Sequence, residues 1–249
     1  MKTQTPSPAP AKAPAPKKKS SGGLNPAFVL PVLLIIGILT YMFVFGDGSH
    51  FQEGDNTKEP LPGDYFGTVY KGGFIVPILF TCFLTVLVFS IERFFTIGRA
   101  NGSGSIDDFV RKVKSQLDRN EVAAAIQECD RQKGSIGNVV KTALLKYQQL
   151  STDTELNKEQ KLVALQKEVE EATTLELPML EKNLTIIATL ASVSTLIALL
   201  GTVLGMIRAF AAMGATGQPD TAALSTGISE ALVNTALGIG TAAIATIMY

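Results

Sequence analysis

Ionisable and hydroxyl side chains are scarce in the apolar stretches of this chain, and where they occur they fall into helical register. Between residues 184 and 213, Thr185, Thr189, Ser192 and Thr195 recur at spacings of four, three and three, with Thr202 seven residues on, which puts them on one stripe of a helix. Between 222 and 249, Glu230, Asn234 and Thr241 fall within about 40° of one another at about 100° per residue, and Thr235 with Thr246 form a second stripe about 140° away. A hydroxyl both donates and accepts, so a file of them can order water or pass a proton without holding a charge. A carboxylate as deep as Glu230 is costly unless it is protonated, paired or wet. Counted inward from the loop GATGQPD, Arg208 stands about five residues deep and Glu230 about eight, so the two can meet as an ion pair across a hairpin. The rival arrangement turns Glu230 into a water-filled pore and lets Arg208 snorkel outward. Gly201, Thr202, Gly205, Gly238 and Gly240 offer small faces for close helix contact. The plainest reading of the Ser and Thr residues is that they bond back to their own helix carbonyls.

Bond-making chemistry has little to work with. GSGS at 102 to 105 lacks the lysine and the strand-to-helix context of a phosphate-binding loop and reads as a linker. His50 is the single histidine and has no ligand partners at metal spacing, so no metal and no cofactor are expected. Cys82, in an apolar run, and Cys129, in a charged segment, do not suggest a disulfide framework.

These residues need a scaffold that crosses a membrane. The 249 residues are 46% hydrophobic and 18% charged, with a mean hydropathy of +0.26, and the net charge is zero, which gives no bulk pull toward nucleic acid. The expected fold class is all-α, a polytopic membrane protein with four transmembrane helices and a cytoplasmic helical bundle. Residues 1–25 form a Pro/Ala-rich, disordered tail ending in Lys17, Lys18 and Lys19, and residues 26–46 a first span. A cleaved signal peptide is the rival for this segment, but the run is long and no clean small-x-small site follows. An acidic outer loop at 47–72, a second span at 73–97, a cytoplasmic helical domain at 98–182, a third span at 183–213, a short outer loop at 214–221 and a fourth span at 222–249 complete the plan. The cations cluster in the tail and at the ends of 98–182, so both of those are cytoplasmic.

Within the cytoplasmic segment, Ser105 with Asp108 resembles a capping box opening DDFVRKVKSQL, and Asn120 caps EVAAAIQECDRQ. Gly134 and Gly137 break the pattern before NVVKTALLKYQQL. A longer helix from about Lys158 runs through EVEEATTLELPMLEKNL directly into the third span, with a kink at Pro178.

Taken together, IERFF after a span, DDFVRKV, NEVAAAIQECDRQKGSIGNVV, EVEEATTLELPMLEKNL, LLGTVLGMIRAF and GISEALVNTALGIG resemble the MotA/TolQ/ExbB proton channel family, most closely its ExbB and TolQ branch. The resemblance covers roughly residues 91 to 249. It implies a bacterial inner-membrane motor subunit and not an enzyme. It implies a homo-oligomer, typically of five copies, around the span of a small ExbD/TolR-like partner bearing a transmembrane aspartate. Ion flow would then do work on a periplasm-spanning TonB-like or TolA-like protein. A Tol-type or flagellar-type motor and a non-conducting membrane scaffold are the alternatives; a secondary transporter fits poorly, since no internal repeat is visible. Carried over by motif, Glu230 is the family's intramembrane glutamate, Thr235 its pore threonine and GTVLG at 201–205 its packing motif. The chain departs from the pattern at Val193, where the third span usually has a threonine, and at Thr195, where it usually has proline, which leaves Ser192, Ser194 and Thr195 as candidates. Ile244 stands at another usual proline, the first span is extra, and relatives continue into a cytoplasmic helix where this sequence ends at Tyr249, as a truncated sequence would.

Overall fold

A computed structural model describes residues 25–215 and 221–249, with side chains described outside 212–215 and 222–223. The basic tail up to Leu24 and most of the expected outer loop at 214–221 therefore lie outside the described residues. Among the described residues the fold is all-α apart from one isolated β-bridge, Phe51 to Pro60. The helices are α1 (Pro26–Thr40), α2 (Tyr65–Tyr70), α3 (Val76–Ala100), α4 (Ile106–Asp118), α5 (Val122–Gln132), α6 (Gly134–Thr152), α7 (Lys158–Glu181), α8 (Leu184–Ala215) and α9 (Thr221–Met248). A wider π-helical turn, Tyr41–Phe45, extends α1, and a 3₁₀ turn, Gly73–Ile75, leads into α3. Among the described residues four stretches are long and apolar enough to cross a bilayer: Pro26–Phe45, Gly73–Ala100, Leu184–Ala211 and Leu224–Met248.

The spans pack in sequence order from the outside in. Gly37 on α1 brings that helix against Thr81 and the Pro77 carbonyl of α3, where a Cβ would overlap the Thr81 hydroxyl. Near the inner end Val29 of α1 joins Val86, Phe89, Ile187 and Ala245. Toward the outer end Ile75 and Leu79 of α3 pack on Ala198, Leu204 and Leu237. Thus α3 lies between the extra span and the α8–α9 hairpin. Its hydroxyls Thr81, Thr85 and Ser90 are buried and each bonds a carbonyl four residues back, which satisfies them without a partner helix.

The outer loop is folded down onto this bundle. Asp64 accepts the Gly67 amide at 3.0 Å and so caps α2, while His50 Nδ1 lies 2.8 Å from the other Asp64 oxygen. The single histidine is thus a structural partner of a carboxylate. Those contacts, the Gly67 amide first and His50 second, hold the Asp64 carboxyl below its usual range. Tyr41 donates to the Tyr70 carbonyl at 3.0 Å, and their rings stack with centroids 4.7 Å apart, tying the loop to the top of α1.

On the cytoplasmic side Phe109, Val113, Ala125, Cys129 and Leu144 form a small core joining α4, α5 and α6. Cys129 is buried there despite its charged neighbours, and burial raises its thiol above the usual range. Several local expectations need correction. Ser105 occupies the position before α4 but its side chain makes no capping bond. Asn120 does not open α5; with φ +58° it closes α4 in the left-handed region, and Glu121 precedes α5. Gly134 (φ +72°) does mark a turn, where a Cβ would overlap the Ala100 carbonyl, but Gly137 sits inside α6, where a Cβ would lie 3.0 Å from the Cys129 carbonyl. The cap that is fully formed went unread: Asn157 accepts the Gln160 amide at 2.8 Å and Gln160 accepts the Asn157 amide at 3.0 Å.

The long helix is also not continuous. α7 runs through Pro178 and stops at Glu181; Lys182 is extended (ψ 132°) and Asn183 left-handed (φ +68°) before α8 starts. The physical reason is a competing donor. Arg93 of α3 reaches the terminal carbonyls of Met179 and Leu180 at 3.3 and 3.2 Å, satisfying the groups that another turn of helix would have used.

Candidate functional site

The α8–α9 hairpin is built on small residues. Ser194, Ala198, Gly201, Gly205 and Ala209 of α8 face Gly227, Ala231, Asn234, Gly238 and Thr241 of α9, and all are buried. Along α9 these recur at four and three residues, the spacing of a packing seam. A Cβ at Gly238 would overlap the Ala198 side chain; at Gly227 it would lie 2.6 Å from the Ala209 Cβ, at Gly201 2.9 Å from the Asn234 Cβ, and at Gly205 3.0 Å from the Gly227 carbonyl. Backbones this close leave little room between the helices for anything but hydroxyl-sized groups. Gly227 belongs to this seam although the sequence reading passed over it. Gly240 does not: nothing lies within 4 Å of where its Cβ would be.

One pair of hydroxyls meets on this seam. Thr202 Oγ1 and Thr235 Oγ1 are in direct hydrogen-bond contact, and they bond back to the carbonyls of Ala198 (3.0 Å) and Ala231 (3.1 Å) respectively. Thr202 also reaches the Ala231 carbonyl across the interface at 3.4 Å. Both threonines are half-buried, so the pair opens to the edge of the hairpin. Each oxygen has one hydroxyl neighbour and a carbonyl, an arrangement in which protons can rearrange with no buried charge.

One to two turns toward the outer end, Arg208 Nη1 lies 2.5 Å from Glu230 Oε1. Glu230 is 12% exposed while Arg208 keeps 48% of its side chain exposed, so one guanidinium edge contacts the carboxylate as the rest points outward. The Arg208 guanidinium carbon sits 5.1 Å from the Phe74 ring centroid, within cation–π range. The turn that carries Phe74 also covers the pair: Gly73, at φ +79°, presses against the Glu230 carboxylate, and a side chain at that position would collide with Glu230 Oε1. Only glycine meets both demands, a left-handed backbone and no Cβ.

The remaining residues singled out by register fall in different places. Asn234 is fully buried, and its amide donates to the Gly72 carbonyl at 2.9 Å, fastening α9 to the turn before α3, while its Oδ1 is buried with no hydrogen-bond partner. Thr241 is buried and bonds the Leu237 carbonyl at 2.8 Å. On α8, Ser194 is fully buried against Gly238, Thr195 is half-buried and bonds the Ala191 carbonyl at 3.1 Å, and Ser192 is exposed on the opposite face. The two helices therefore bring together Thr202 with Thr235 and Arg208 with Glu230. They set Ser192 and Thr241 apart from both pairs.

A second ionic cluster lies at the inner end of the spans, in the IERFF motif that follows the second span. Arg93 is 3% exposed and makes a two-pronged contact with its neighbour Glu92, Nε to Oε2 at 2.8 Å and Nη2 to Oε1 at 2.7 Å. Glu92 also accepts from Thr96 at 3.1 Å and from Asn183 at 3.2 Å. No sequence spacing predicts the cluster, because residues i and i+1 do not share a helix face and, Thr96 apart, the other partners are 86 to 91 residues away.

Residues 131–249, which begin just before α6 and include both hairpin pairs, match the description of the MotA/TolQ/ExbB proton channel family. That region, just under half of the chain, belongs to the family. Among curated relatives it is 43% identical over 83 residues to an ExbB-like protein of Synechocystis sp. (32% of this chain, 39% of the relative). It is 40% identical over 74 residues to the Tol-Pal system protein TolQ of Haemophilus influenzae (30% and 32%) and 44% identical over 70 residues to the biopolymer transport protein ExbB of Aquifex aeolicus (28% and 47%). The chain thus spans less than half the length of these relatives. The MotA/TolQ/ExbB match over residues 131–249 and four long apolar helices among the described residues make it a multi-pass inner-membrane protein with a helical bundle and an N-terminal region on the cytoplasmic side. Helices α1 to α4, with the glycine turn over Glu230, lie outside the family match.

Proposed function

We propose that this MotA/TolQ/ExbB family member conducts protons down the membrane potential and converts their flow into motion of a partner that works across the periplasm, as in TonB-type outer-membrane transport. The observation that carries the reading is the Thr202–Thr235 hydroxyl pair, set on a close-packed glycine seam inward of the Arg208–Glu230 ion pair. A charge falling through the potential releases about 2.3 kcal/mol per 100 mV. Capturing that energy needs a polar track beside an apolar wall, and α8 and α9 supply both, with Leu196, Leu199, Leu200, Val203, Leu232 and Ile239 exposed along the hairpin. Those apolar faces suit the bilayer and neighbouring copies in a ring, for which we propose five copies.

The path would be completed by a small ExbD/TolR-like protein whose transmembrane aspartate takes and releases the proton beside Thr235, and by a TonB-like or TolA-like protein that carries the work outward. Ser192, Thr195, Asn234 and Thr241 enter as further stations of the path. The same seam also favours a second reading, a membrane scaffold in which these residues serve helix association alone. Proteoliposomes carrying the protein with its small aspartate-bearing partner and a pH-sensitive dye decide between the two. Conduction predicts potential-driven acidification that is lost in Thr235→Val while the oligomer survives. Unchanged flux in that variant removes Thr235 from the path, and no flux in wild type favours the scaffold. Co-purification of a TonB-like or a TolA-like protein separates the transport role from the Tol role.

A further inference from the structure

A cavity of about 240 Å³ lies between α6 and α7 on the cytoplasmic side, away from the hairpin pairs. Its walls are apolar, with Ile136 and Val139 on one side and Leu177 and Leu180 on the other. Two oxygens at its lining are buried without any hydrogen-bond partner: the Ser135 hydroxyl, on a residue 7% exposed, and Oε2 of Glu176. The other Glu176 oxygen is held by Asn138 Nδ2 at 3.0 Å, which fixes the carboxylate with its free oxygen inward. A native fold rarely leaves a buried carboxylate oxygen unpaired, because it loses its water and gains nothing. Both orphans can accept, the carboxylate oxygen and the serine hydroxyl alike, and an apolar slot ending in such oxygens fits a lysine, whose methylene stem buries while its ammonium donates up to three hydrogen bonds.

The surroundings select cations. From Glu168 to Glu181, α7 carries five glutamates and no lysine or arginine. The nearest lysines of α6 are already engaged, Lys141 with Asp130 and Lys146 with Glu168 at 3.4 Å. Residues 1–24 hold the complementary set: Lys2, Lys12, Lys17, Lys18 and Lys19 with no acidic residue and no arginine. The distances permit contact. Val29 near the start of α1 packs in the cluster of Phe89, Arg93 lies one turn beyond Phe89, and its guanidinium bonds the carbonyl of Leu180, which lines the cavity. From Lys19 to Asn25 the chain spans up to about 20 Å, and a lysine side chain adds about 6 Å more.

We propose that the Lys17–Lys19 segment of the chain docks on the α6–α7 cavity, with one lysine ammonium bound by Glu176 and Ser135. The cavity becomes an anchoring site for the basic tail on the acidic face of α7, and the extra span α1 acquires a second point of attachment to the cytoplasmic bundle. Docking does not depend on ion conduction, and its test is blind to flux.

The experiment is limited trypsin digestion of the full-length oligomer in zwitterionic-lipid nanodiscs, with cleavage after each tail lysine quantified by mass spectrometry. Cleavage after Lys17, Lys18 and Lys19 is expected to be about tenfold slower than after Lys12, the protection of one charged hydrogen-bonded contact. Glu176→Gln, which keeps the bond to Asn138, is expected to raise it close to the Lys12 rate, and Ser135→Ala to raise it partway, with the oligomer unchanged in size for both. Equal cleavage at all tail lysines in the wild type overturns the proposal. So does protection that persists in both variants, which assigns the lysines to the bilayer surface or to a neighbouring copy.

Discussion

Two arginine–glutamate contacts stand at the two ends of the spans, Arg93 with Glu92 and Arg208 with Glu230, and they are built to opposite specifications. At the inner end Arg93 and Glu92 are adjacent in one helix, both nearly dry, and every polar edge is engaged: two prongs between them, two carbonyls of α7, one asparagine and one threonine. At the outer end Arg208 and Glu230 come from different helices, share one hydrogen bond, and leave half the arginine exposed beside an aromatic ring. A fully satisfied, buried cluster has one arrangement and fixes how α3, α7 and α8 meet. A half-open pair has alternatives, since water or another carboxylate can replace either partner at small cost. The comparison assigns architecture to the inner pair and adjustable electrostatics to the outer one.

Removing one partner of the inner cluster is the strongest way to break that contrast. Arg93→Met strands the Glu92 carboxylate and two helix-end carbonyls in a dry site, a loss of about 3–5 kcal/mol. The variant is expected to unfold at a clearly lower temperature in detergent and to yield less oligomer. Glu92→Gln/Arg93→Met is expected to recover most of the loss, since the charge is then gone. A single variant that melts like wild type would show that the cluster is not the joint between membrane and cytoplasmic helices.

The outer pair predicts a smaller stability effect with a larger functional one. A double-mutant cycle of Arg208→Gln and Glu230→Gln is expected to give a coupling of about 1 kcal/mol or less in thermal unfolding, because the arginine is half exposed and screened. The same cycle measured on potential-driven acidification is expected to show the two residues strongly non-additive, with Arg208→Gln changing flux while Glu230 remains. Stability coupling as large as at the inner cluster would erase the distinction drawn between the two ends.

The same contrast marks what a sequence can carry. The four spans and the all-α class follow from uncharged runs of about 20 residues or more, a property of composition that packing does not alter. Facing is different, because register fixes angles along one helix but not which neighbour each angle meets. Glu230, Asn234 and Thr241 share a stripe, yet Glu230 meets α8 and the glycine turn, Asn234 meets the Gly72 carbonyl, and Thr241 turns to its own helix. Gly238 and Gly240 look alike in sequence, and only the first lies in the seam. The break at Asn183 had no glycine to announce it, since its left-handed turn is held by Arg93 and Glu92 of a helix some 90 residues earlier. Long-range partners of this kind leave no local periodicity.

The smallest effect expected concerns pH, and it sharpens the contrast because the outer loop, unlike the inner Arg93–Glu92 cluster, rests on a capping carboxylate close to solvent. The Asp64 carboxyl is held low by the Gly67 amide and by His50, so its folded value lies below its unfolded one. Stability from that contact is then fully present above the usual carboxylate range and is lost as the pH falls toward the lowered folded value. Hydrogen exchange at the Gly67 amide is expected to quicken, relative to its intrinsic rate, as the pH drops below about 4. In Asp64→Asn the amide oxygen can still cap the helix but no longer titrates, so the exchange protection should become flat across that window. Protection that falls equally in both proteins would place the acid-sensitive group elsewhere in the loop, with Asp47 and Asp55, each also held low by backbone and side-chain hydrogen bonds, next to be replaced.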